Sequence, residues 1–307
     1  MSVLITGGAG FIGSHLVEKL ILQKYNVIVI DNLSTGHLKN LHNVIDEITF
    51  IKADLSNYDL YVLDNIESVV HLSAQTSVPK SIEDFKNSSY INLLSNLNVL
   101  DYCSNANIPL VYASSSAVYG NSGLGDDMSE SVDLISPYAV DKYSMELYAQ
   151  MANKTYALSS FGLRFFNVYG PRQDPLSQYS GVISIFIDRL ENGREIQVNG
   201  GYQTRDFVFV SDVVNIIEKS IRLAKSAFVS EKVNVLTGTS YTINALLEIL
   251  SSTLNKIPII NQRLLPDGDP EISDGTTDKM CQLFEVDIEK MTTLYAGLEK
   301  TINFGDK

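Results

Sequence analysis

The chain has 307 residues, of which 45% are hydrophobic, and a formal net charge of −13 at pH 7. This length suffices for a sizeable core in a large domain with a smaller companion. Its negative charge disfavours nucleic acid and anionic membranes as partners. The two cysteines lie far apart, no signal-peptide pattern precedes the first strand, and no apolar run reaches the roughly eighteen residues of a membrane span. We therefore expect a reduced, cytoplasmic protein without a metal site.

The first residues combine a strand, a glycine-rich loop and the start of a helix. The aliphatic run 3–5 predicts a buried parallel strand, and residues 14–23 have a helical pattern. Between them, Gly7 allows a tight turn, Gly10 lets the backbone approach a pyrophosphate, and Gly13 lets the helix pack close to the strand. The helix N-terminus offers N–H groups and partial positive charge to phosphates. These features predict a dinucleotide site, the alternative being a βαβ turn that binds no ligand.

A carboxylate at the end of the second strand selects the dinucleotide. The run 27–30 ends in Asp31, eighteen residues beyond Gly13. A carboxylate there can accept both hydroxyls of an adenosine ribose and repels a phosphorylated ribose. The sequence therefore predicts NAD rather than NADP.

Strand and helix signals alternate through the first half of the chain, which is typical of an α/β fold with a doubly wound, Rossmann-type parallel sheet. Strands are predicted at 3–5, 27–30, 48–52, 68–72, 109–113 and 157–165, and helices at 14–23, 56–64, 81–106 and 138–153. We predict an NAD-binding domain over 1–167, and a smaller, mixed α/β substrate-binding domain over 168–307. The segment 207–236 is expected to rejoin the first domain in part, through runs at 207–210 and 232–236.

Tyr138 and Lys142 are one helical turn apart and share a helix face. A tyrosine beside an ammonium group and a bound nicotinamide has its phenolate stabilised, so its pKa falls and it can act as a general base. The pair opens a helix that follows the hydroxyl-rich run Ser114 to Ser116, predicted at the carboxyl edge of the sheet, where ligands bind. The alternative role for that serine run is to cap a helix.

Eight short segments carry a family resemblance. They are residues 7–13, 31–36, 53–55, 71–79, 114–116, 138–142, 164–172 and 205–207. In these the chain resembles the extended short-chain dehydrogenase/reductase family, and within it the 4-epimerases of UDP-glucose or its N-acetylated relatives. The resemblance covers nearly the whole chain and implies a nucleotide-sugar substrate, with UDP as the expected nucleotide.

The resemblance also implies residue roles. Tyr138 becomes the base, Ser115 the hydroxyl that shares the substrate proton, and Lys142 a bridge to the nicotinamide ribose. The implied NAD-binding residues are Gly7, Gly10, Phe11, Ile12, Gly13, Asp31, Asn32, Ser34, Thr35, Gly36, Asp54, Leu55, Leu72, Ala74, Gln75, Tyr138, Lys142 and Phe166. The implied substrate contacts are Ser77, Ser115, Asn167, Arg205 and Ser273. Outside the motif, Arg205 would be an ordinary surface arginine.

The residues after the serine favour epimerisation. Dehydratases that this chain resembles carry an Asp-Glu pair there, because one group protonates the leaving hydroxyl and the other removes a carbon-bound proton. Related decarboxylases place a glutamate in the same stretch. This chain has Ser116 and Ala117, which supply neither function. The alternatives are a 4-keto sugar reductase that exchanges its cofactor at each turnover, and a catalytically silent NAD-binding protein.

The segment from residue 266 departs from the family pattern. Where the family carries an arginine for the substrate diphosphate, this chain has Pro266, followed by acidic residues at 267, 269 and 271. Such a cluster is expected to repel a diphosphate, and Arg263 is a possible substitute. Five residues after Gly268, Ser273 occupies the position that in the family lies beside the carbon-2 substituent. A small side chain there predicts acceptance of N-acetylated sugars, unless Ser273 is only a turn residue.

A homodimer is also expected. The helical stretches 87–106 and 138–153 carry more apolar surface than one neighbour covers, and the equivalent family helices pair as a four-helix bundle. The residues concerned are Leu93, Leu94, Leu97, Leu100, Met145, Leu147 and Met151. The alternative is that all of them face the parent sheet.

Overall fold

The computed structural model describes residues 1–175, 181–266 and 269–304. Its strands are β1 (Ser2–Thr6), β2 (Asn26–Asp31), β3 (Ile48–Lys52), β4 (Ile66–His71), β5 (Leu110–Ser115), β6 (Leu124–Gly125), β7 (Ser160–Phe165), β8 (Asn167–Tyr169), β9 (Glu195–Asn199), β10 (Thr204–Phe209), β11 (Ser230–Val235), β12 (Ser240–Thr242), β13 (Ile259–Arg263) and β14 (Asp274–Gly275). Its helices are α1 (Phe11–Leu22), α2 (Val78–Glu83), α3 (Phe85–Ala106), α4 (Pro137–Tyr156), α5 (Val182–Glu191), α6 (Val210–Ser226), α7 (Ile243–Leu254), α8 (Asp278–Phe284) and α9 (Leu294–Ile302).

A seven-stranded parallel sheet forms the centre of the fold, in the order β11-β7-β5-β4-β1-β2-β3. The predicted Rossmann-type sheet is confirmed. From β1 the chain first adds β2 and β3 on one side and then continues with β4 on the other side of β1. This reversal of strand order creates a crevice at the carboxyl ends of β1 and β4.

Both faces of this sheet are covered by helices. Along β1, Val3 and Ile5 point into the core with α1 and α6, whereas Leu4 points into the core with α3 and α4. All three side chains are fully buried. A continuous aliphatic run is therefore compatible with a strand, because a parallel sheet is apolar on both faces.

Three smaller sheets lie beside the central one. β12, β10 and β8 form a three-stranded sheet, β13 pairs with β9, and β14 pairs with β6. The predicted run 232–236 does join the central sheet as β11, but the run 207–210 does not. It belongs to β10, whose partners are β8 in parallel and β12 in antiparallel orientation. The boundary at residue 167 stays a prediction.

Two predicted helices differ from the structure. The segment 56–64 contains only a short 3₁₀ turn at Leu60–Val62, because Asp54 and Asp59 accept hydrogen bonds from backbone amides two residues ahead and so favour turns. The predicted helix 81–106 is divided at Asp84, whose φ of −131° and ψ of 65° interrupt the helical path between α2 and α3. In the described part of the chain, no helix is long and apolar enough to span a membrane.

Candidate active site

The glycine-rich loop between β1 and α1 forms a cradle that side chains would fill. Gly7 adopts a φ of +72°, and a Cβ there would lie 2.7 Å from the Ser73 nitrogen. A Cβ on Gly13 would overlap the Gly7 carbonyl oxygen, so this residue lets the helix begin directly against the loop. Gly10 is the N-cap of α1 and has no side chain to occupy the helix end. The backbone is therefore open to a pyrophosphate at the positive end of the helix dipole.

Asp31 is almost fully buried at the end of β2, where the loop holds its carboxylate. One oxygen accepts from the Ala9 amide at 2.9 Å and the other from the Leu33 amide at 2.8 Å. An ionised carboxylate has about four acceptor positions, so these two bonds leave capacity for a ribose diol. The remaining acceptor positions of Asp31, together with the glycine cradle, fit the predicted NAD.

The predicted adenine side is shaped by Asp54. Its Oδ1 accepts from the Ser56 hydroxyl at 2.7 Å and its Oδ2 from the Asn32 amide at 3.2 Å. The bonds from Ser56 lower the pKa of Asp54, which keeps it an ionised acceptor. The side chain of Leu55, by contrast, packs in the core with Val99 and Leu110.

Gln75 stiffens the segment after β4. Its Oε1 accepts from the Ser77 amide at 2.6 Å, while its Nε2 donates to the Ser77 carbonyl and to the Ser88 hydroxyl. The Ser77 hydroxyl, predicted to contact substrate, caps α2 by accepting from the Lys80 amide at 3.1 Å. The hydroxyl hydrogen and the second lone pair of Ser77 stay available to a substrate.

The three predicted catalytic residues meet at the carboxyl end of β5. The Ser115 side chain lies close enough to Tyr138 to lower the pKa of its phenol. Lys142 donates to the Ala113 carbonyl oxygen at 2.9 Å, and its Nζ lies 5.8 Å from the centre of the Tyr138 ring. Ser136 caps the helix by accepting from the Ala139 amide, which places Tyr138 in the first turn.

Burial moves the pKa values of this pair in opposite directions. Removal from water raises the pKa of Tyr138 to about 12, although the hydrogen bond from Ser115 opposes this. The same loss of water lowers the pKa of Lys142 to about 8. Without NAD, desolvation thus keeps the Tyr138 phenol protonated. The expectation that Lys142 and a bound nicotinamide together lower this pKa stays a prediction.

A buried ion pair behind these residues was missed from the sequence. The Arg164 guanidinium forms a bidentate pair with the Glu146 carboxylate at 2.8 and 2.6 Å, and the two side chains are 0% and 4% exposed. The sequence did contain a signal. Glu146 continues the four-residue spacing of Tyr138 and Lys142, and Arg164 interrupts an apolar strand.

Three predicted substrate contacts, Asn167, Arg205 and Ser273, are each next to Asp206 through the chain or through a hydrogen bond to its backbone. Asn167, in β8, donates to the Asp206 carbonyl oxygen at 3.2 Å. The Asp206 amide donates to the Ser273 carbonyl oxygen at 3.3 Å, and Arg205 is the preceding residue. Ser273 is half-buried. The structure therefore brings Asn167, Arg205 and Ser273 together.

Part of the acidic segment contacts Arg205 rather than standing apart. Asp269 accepts from the Arg205 Nη2 at 2.5 Å, and the Pro270 carbonyl accepts from Nη1 at 2.9 Å. The expectation that the acidic segment repels a diphosphate did not take Arg205 into account, which neutralises the charge of Asp269. Asp267 and Gly268 lie outside the described residues.

Phe166 is buried with Val118, Tyr119 and Leu236. A Cβ on Gly275 would lie 2.6 Å from the Phe166 ring, so β14 passes directly over this side chain. Among the residues that the structure describes, no group of three or more His, Cys, Asp or Glu side chains could hold a metal ion.

Comparison with known proteins agrees with this geometry. The model of the NAD dependent epimerase/dehydratase family matches residues 3–235. A putative UDP-glucose 4-epimerase of Methanocaldococcus jannaschii is 41% identical over 255 residues, 81% of each chain. The UDP-N-acetylglucosamine 4-epimerase of Methanobrevibacter ruminantium, solved with UDP-N-acetylmuramic acid, superimposes with a TM-score of 0.90 at 36% identity over 99% of this chain and 98% of that one. The UDP-glucose 4-epimerase of Thermus thermophilus, solved with NAD, gives 0.88 at 32% identity with the same coverage. The chain belongs to the NAD-dependent epimerase/dehydratase family.

Proposed function

We propose that this protein is an NAD-dependent 4-epimerase of a nucleotide-activated hexose, with UDP as the nucleotide and glucose or N-acetylglucosamine as the sugar. The observation that carries the proposal is the meeting of Tyr138, Ser115 and Lys142 at the sheet edge that also holds the glycine cradle. Relatives that act on UDP-glucose and on UDP-N-acetylglucosamine superimpose over nearly the whole chain.

The side chains divide the work at the sugar's carbon 4. Tyr138 accepts the hydroxyl proton, and Ser115 holds the hydroxyl oxygen in line with it. Lys142 adds positive charge beside the phenolate and binds the nicotinamide ribose. NAD, when bound beside Tyr138 and Lys142, would supply a reversible acceptor for the carbon-4 hydride. Asn167 and Arg205 hold the sugar and diphosphate, so that the planar 4-keto sugar can rotate without leaving the site.

Ser116 and Ala117 favour this reaction over elimination. They begin the 3₁₀ turn that follows Ser115, and the Ser115 hydroxyl caps that turn by accepting from the Ala117 amide at 3.1 Å. Elimination requires an acid and a carboxylate near carbons 5 and 6, which neither side chain can provide. Oxidation followed by return of the hydride requires only the three residues already in place.

The test is turnover by the purified protein without added NAD. We expect UDP-glucose to interconvert with UDP-galactose, and UDP-N-acetylglucosamine with its galacto epimer, because the cofactor is retained through the cycle. Release of NADH in proportion to substrate would instead identify a net oxidoreductase. If neither sugar is converted even with NAD supplied, the assignment of substrate is wrong.

We further propose a homodimer formed by α3 and α4, which pack side by side. Leu97, Leu147 and Met151 are exposed on these helices, as are Tyr148 and Val140. Leu100 and Met145, counted in the same face from the sequence, are instead buried against the parent sheet. A mass of 34 kDa by light scattering at micromolar concentration would contradict the dimer. We also propose a cytoplasmic location, because both cysteines are free thiols, the form that reducing compartments maintain.

A further inference from the structure

Three residues on one face of α4 are each fixed to the end of β5. Tyr138, Lys142 and Glu146 are four residues apart and so form one stripe along the helix. Lys142 donates to the Ala113 carbonyl oxygen at 2.9 Å, and Tyr138 lies close enough to the Ser115 side chain for that side chain to lower its pKa. The Glu146 carboxylate accepts from the Ser114 hydroxyl at 2.5 Å. The helix therefore contacts three consecutive residues of the strand.

The third contact is made by groups that cannot move independently. Arg164 faces Ser114 across the β5–β7 pair and holds both carboxylate oxygens of Glu146. Its Nη1 donates to the Tyr119 hydroxyl at 2.8 Å, which in turn donates to Asn234 at 2.7 Å. Separating a buried carboxylate from its guanidinium would leave a buried charge without its partner, so the pair is confined to one geometry.

The Ser114 side chain lies on the face of the sheet that α4 covers. Side chains alternate along a strand, and Leu110 and Tyr112 pack in the same core cluster as Met145 and Ala149 of α4. Ser114 continues this series and is buried. The following residue, Ser115, carries the hydroxyl that lowers the pKa of Tyr138. A fixed Ser114 thus limits how far that hydroxyl can move from the phenol.

We propose that Glu146 is a positioning residue for this active site, acting through Ser114 to hold the Ser115 hydroxyl against Tyr138. The expected effect on kcat rests on the proposed function. The expected effect on the Tyr138 pKa does not, because it can be measured without a substrate. The hydrogen bond from Ser115 lowers the pKa of Tyr138, so loosening Ser114 raises that pKa.

The test compares Ser114→Ala with Ser68→Ala. Ser68 is a buried serine in β4 whose hydroxyl has no hydrogen-bond partner within the described residues, so its replacement controls for a lost buried hydroxyl. Tyrosine labelled with ¹³C at the ring carbon bearing oxygen reports the Tyr138 ionisation by NMR in the NAD-bound protein, with Tyr138→Phe used to assign the resonance. Glu146→Gln is a second variant in which the same titration is followed. We expect the Tyr138 titration to move to higher pH there too, and the protein to melt at a lower temperature because Arg164 loses its counter-charge.

In Ser114→Ala we expect the Tyr138 titration to move to higher pH by half a unit or more (a roughly threefold change in its ionisation equilibrium), with no movement in Ser68→Ala. The acidic limb of the kcat profile moves in the same direction, because the base must be deprotonated, and kcat falls about tenfold with KM unchanged. A folded Ser114→Ala protein with an unmoved Tyr138 titration would overturn the proposal. Absence of turnover on UDP-sugars in the unmodified protein would count against the proposed function alone, since the NMR titration still decides the role of Glu146.

Discussion

The guanidinium of Arg205 is held by Asp269, with Nη2 2.5 Å from Oδ1. Its Nη1 donates to the Thr204 and Pro270 carbonyl oxygens. The arginine that we propose for the substrate diphosphate is thus already oriented by the acidic segment. A guanidinium has five N–H donors, so the three used here leave others for a phosphate oxygen.

Replacement of Arg205 by glutamine should weaken substrate binding without affecting the cofactor. We expect KM for UDP-glucose to rise about 10- to 100-fold, the range for loss of a hydrogen bond to a charged group, with NAD affinity unchanged. The control is Arg263→Gln, an exposed arginine at the end of β13. If Arg263→Gln raises KM and Arg205→Gln does not, the diphosphate is held at the other arginine.

Tyr138→Phe should abolish most turnover while leaving both ligands bound. Only one oxygen is removed, and the ring keeps its packing, so the loss falls on the chemical step. We expect kcat to fall about 10²- to 10⁴-fold. Equilibrium binding of NAD and of the UDP-sugar should change less than twofold. Activity within tenfold of the unmodified protein would place the base on another residue.

Ser115→Ala should cost less than Tyr138→Phe. The alanine removes a hydrogen bond to the substrate hydroxyl and to Tyr138, but the proton acceptor remains. We expect kcat to fall about tenfold, which corresponds to one hydrogen bond of about 1.4 kcal/mol, with the acidic limb of its pH profile displaced upward. A loss as large as that in Tyr138→Phe would show that the serine itself transfers the proton.

Lys142→Met should stabilise the NAD-free protein although it inactivates the enzyme. Burial lowers the Lys142 pKa from 10.5 to about 8, so between these values the unfolded chain binds more protons and stability rises with pH. Below pH 8 the full penalty applies, and its removal should add roughly 1 to 3 kcal/mol to the free energy of unfolding at pH 7. The difference from the unmodified protein should shrink as pH approaches 10.

Urea denaturation of the NAD-free protein measures this effect, and Lys154→Met is the matched control. Lys154 is exposed near the end of the same helix, so its replacement should change stability by no more than about 0.5 kcal/mol. A destabilised Lys142→Met protein would mean that the bond to the Ala113 carbonyl outweighs the cost of burying the ammonium group.

Ser273→Tyr should discriminate between the two sugars. Ser273 is half-buried, and its carbonyl oxygen accepts from the Asp206 amide, whose own carbonyl oxygen accepts from Asn167. A tyrosine there should exclude an N-acetyl group by its size, so activity on UDP-N-acetylglucosamine should fall at least tenfold more than activity on UDP-glucose. An unchanged ratio of the two activities, or equal loss of both, would show that Ser273 does not line the sugar pocket.

The first half of the fold was predictable because each of its signals is local. The glycine loop, Asp31 and the aliphatic strand runs specify a strand, turn and helix within thirty-one residues. The sheet to which β10 belongs was not predictable. Its apolar run fits the central sheet as well as the three-stranded sheet, and its pairing is decided by contacts with β8 and β12. The helix prediction for 56–64 was wrong for a local reason. The side chains of Asp54 and Asp59 accept hydrogen bonds from nearby backbone amides and so favour turns over a helix.

The active site followed the same division. The four-residue spacing placed Tyr138 and Lys142 together near the serine run 114–116, and the family resemblance singled out Ser115 within that run. The raised pKa of Tyr138 could not be foreseen, because it depends on how completely the surrounding helices exclude water. The pairing of Arg205 with Asp269 joins residues sixty-four positions apart in the chain. Such a contact is visible only once the β10 strand and the acidic segment are placed side by side.

Deuterium at carbon 4 of the sugar tests the central claim most directly. UDP-glucose labelled there should yield UDP-galactose that keeps the deuterium at carbon 4, because the hydride returns to the carbon from which it came. Unlabelled substrate incubated in D₂O should acquire no deuterium at that carbon, as followed by NMR of both sugars at equilibrium. Loss of the label to solvent, or solvent deuterium at carbon 4, would contradict epimerisation by hydride transfer to retained NAD.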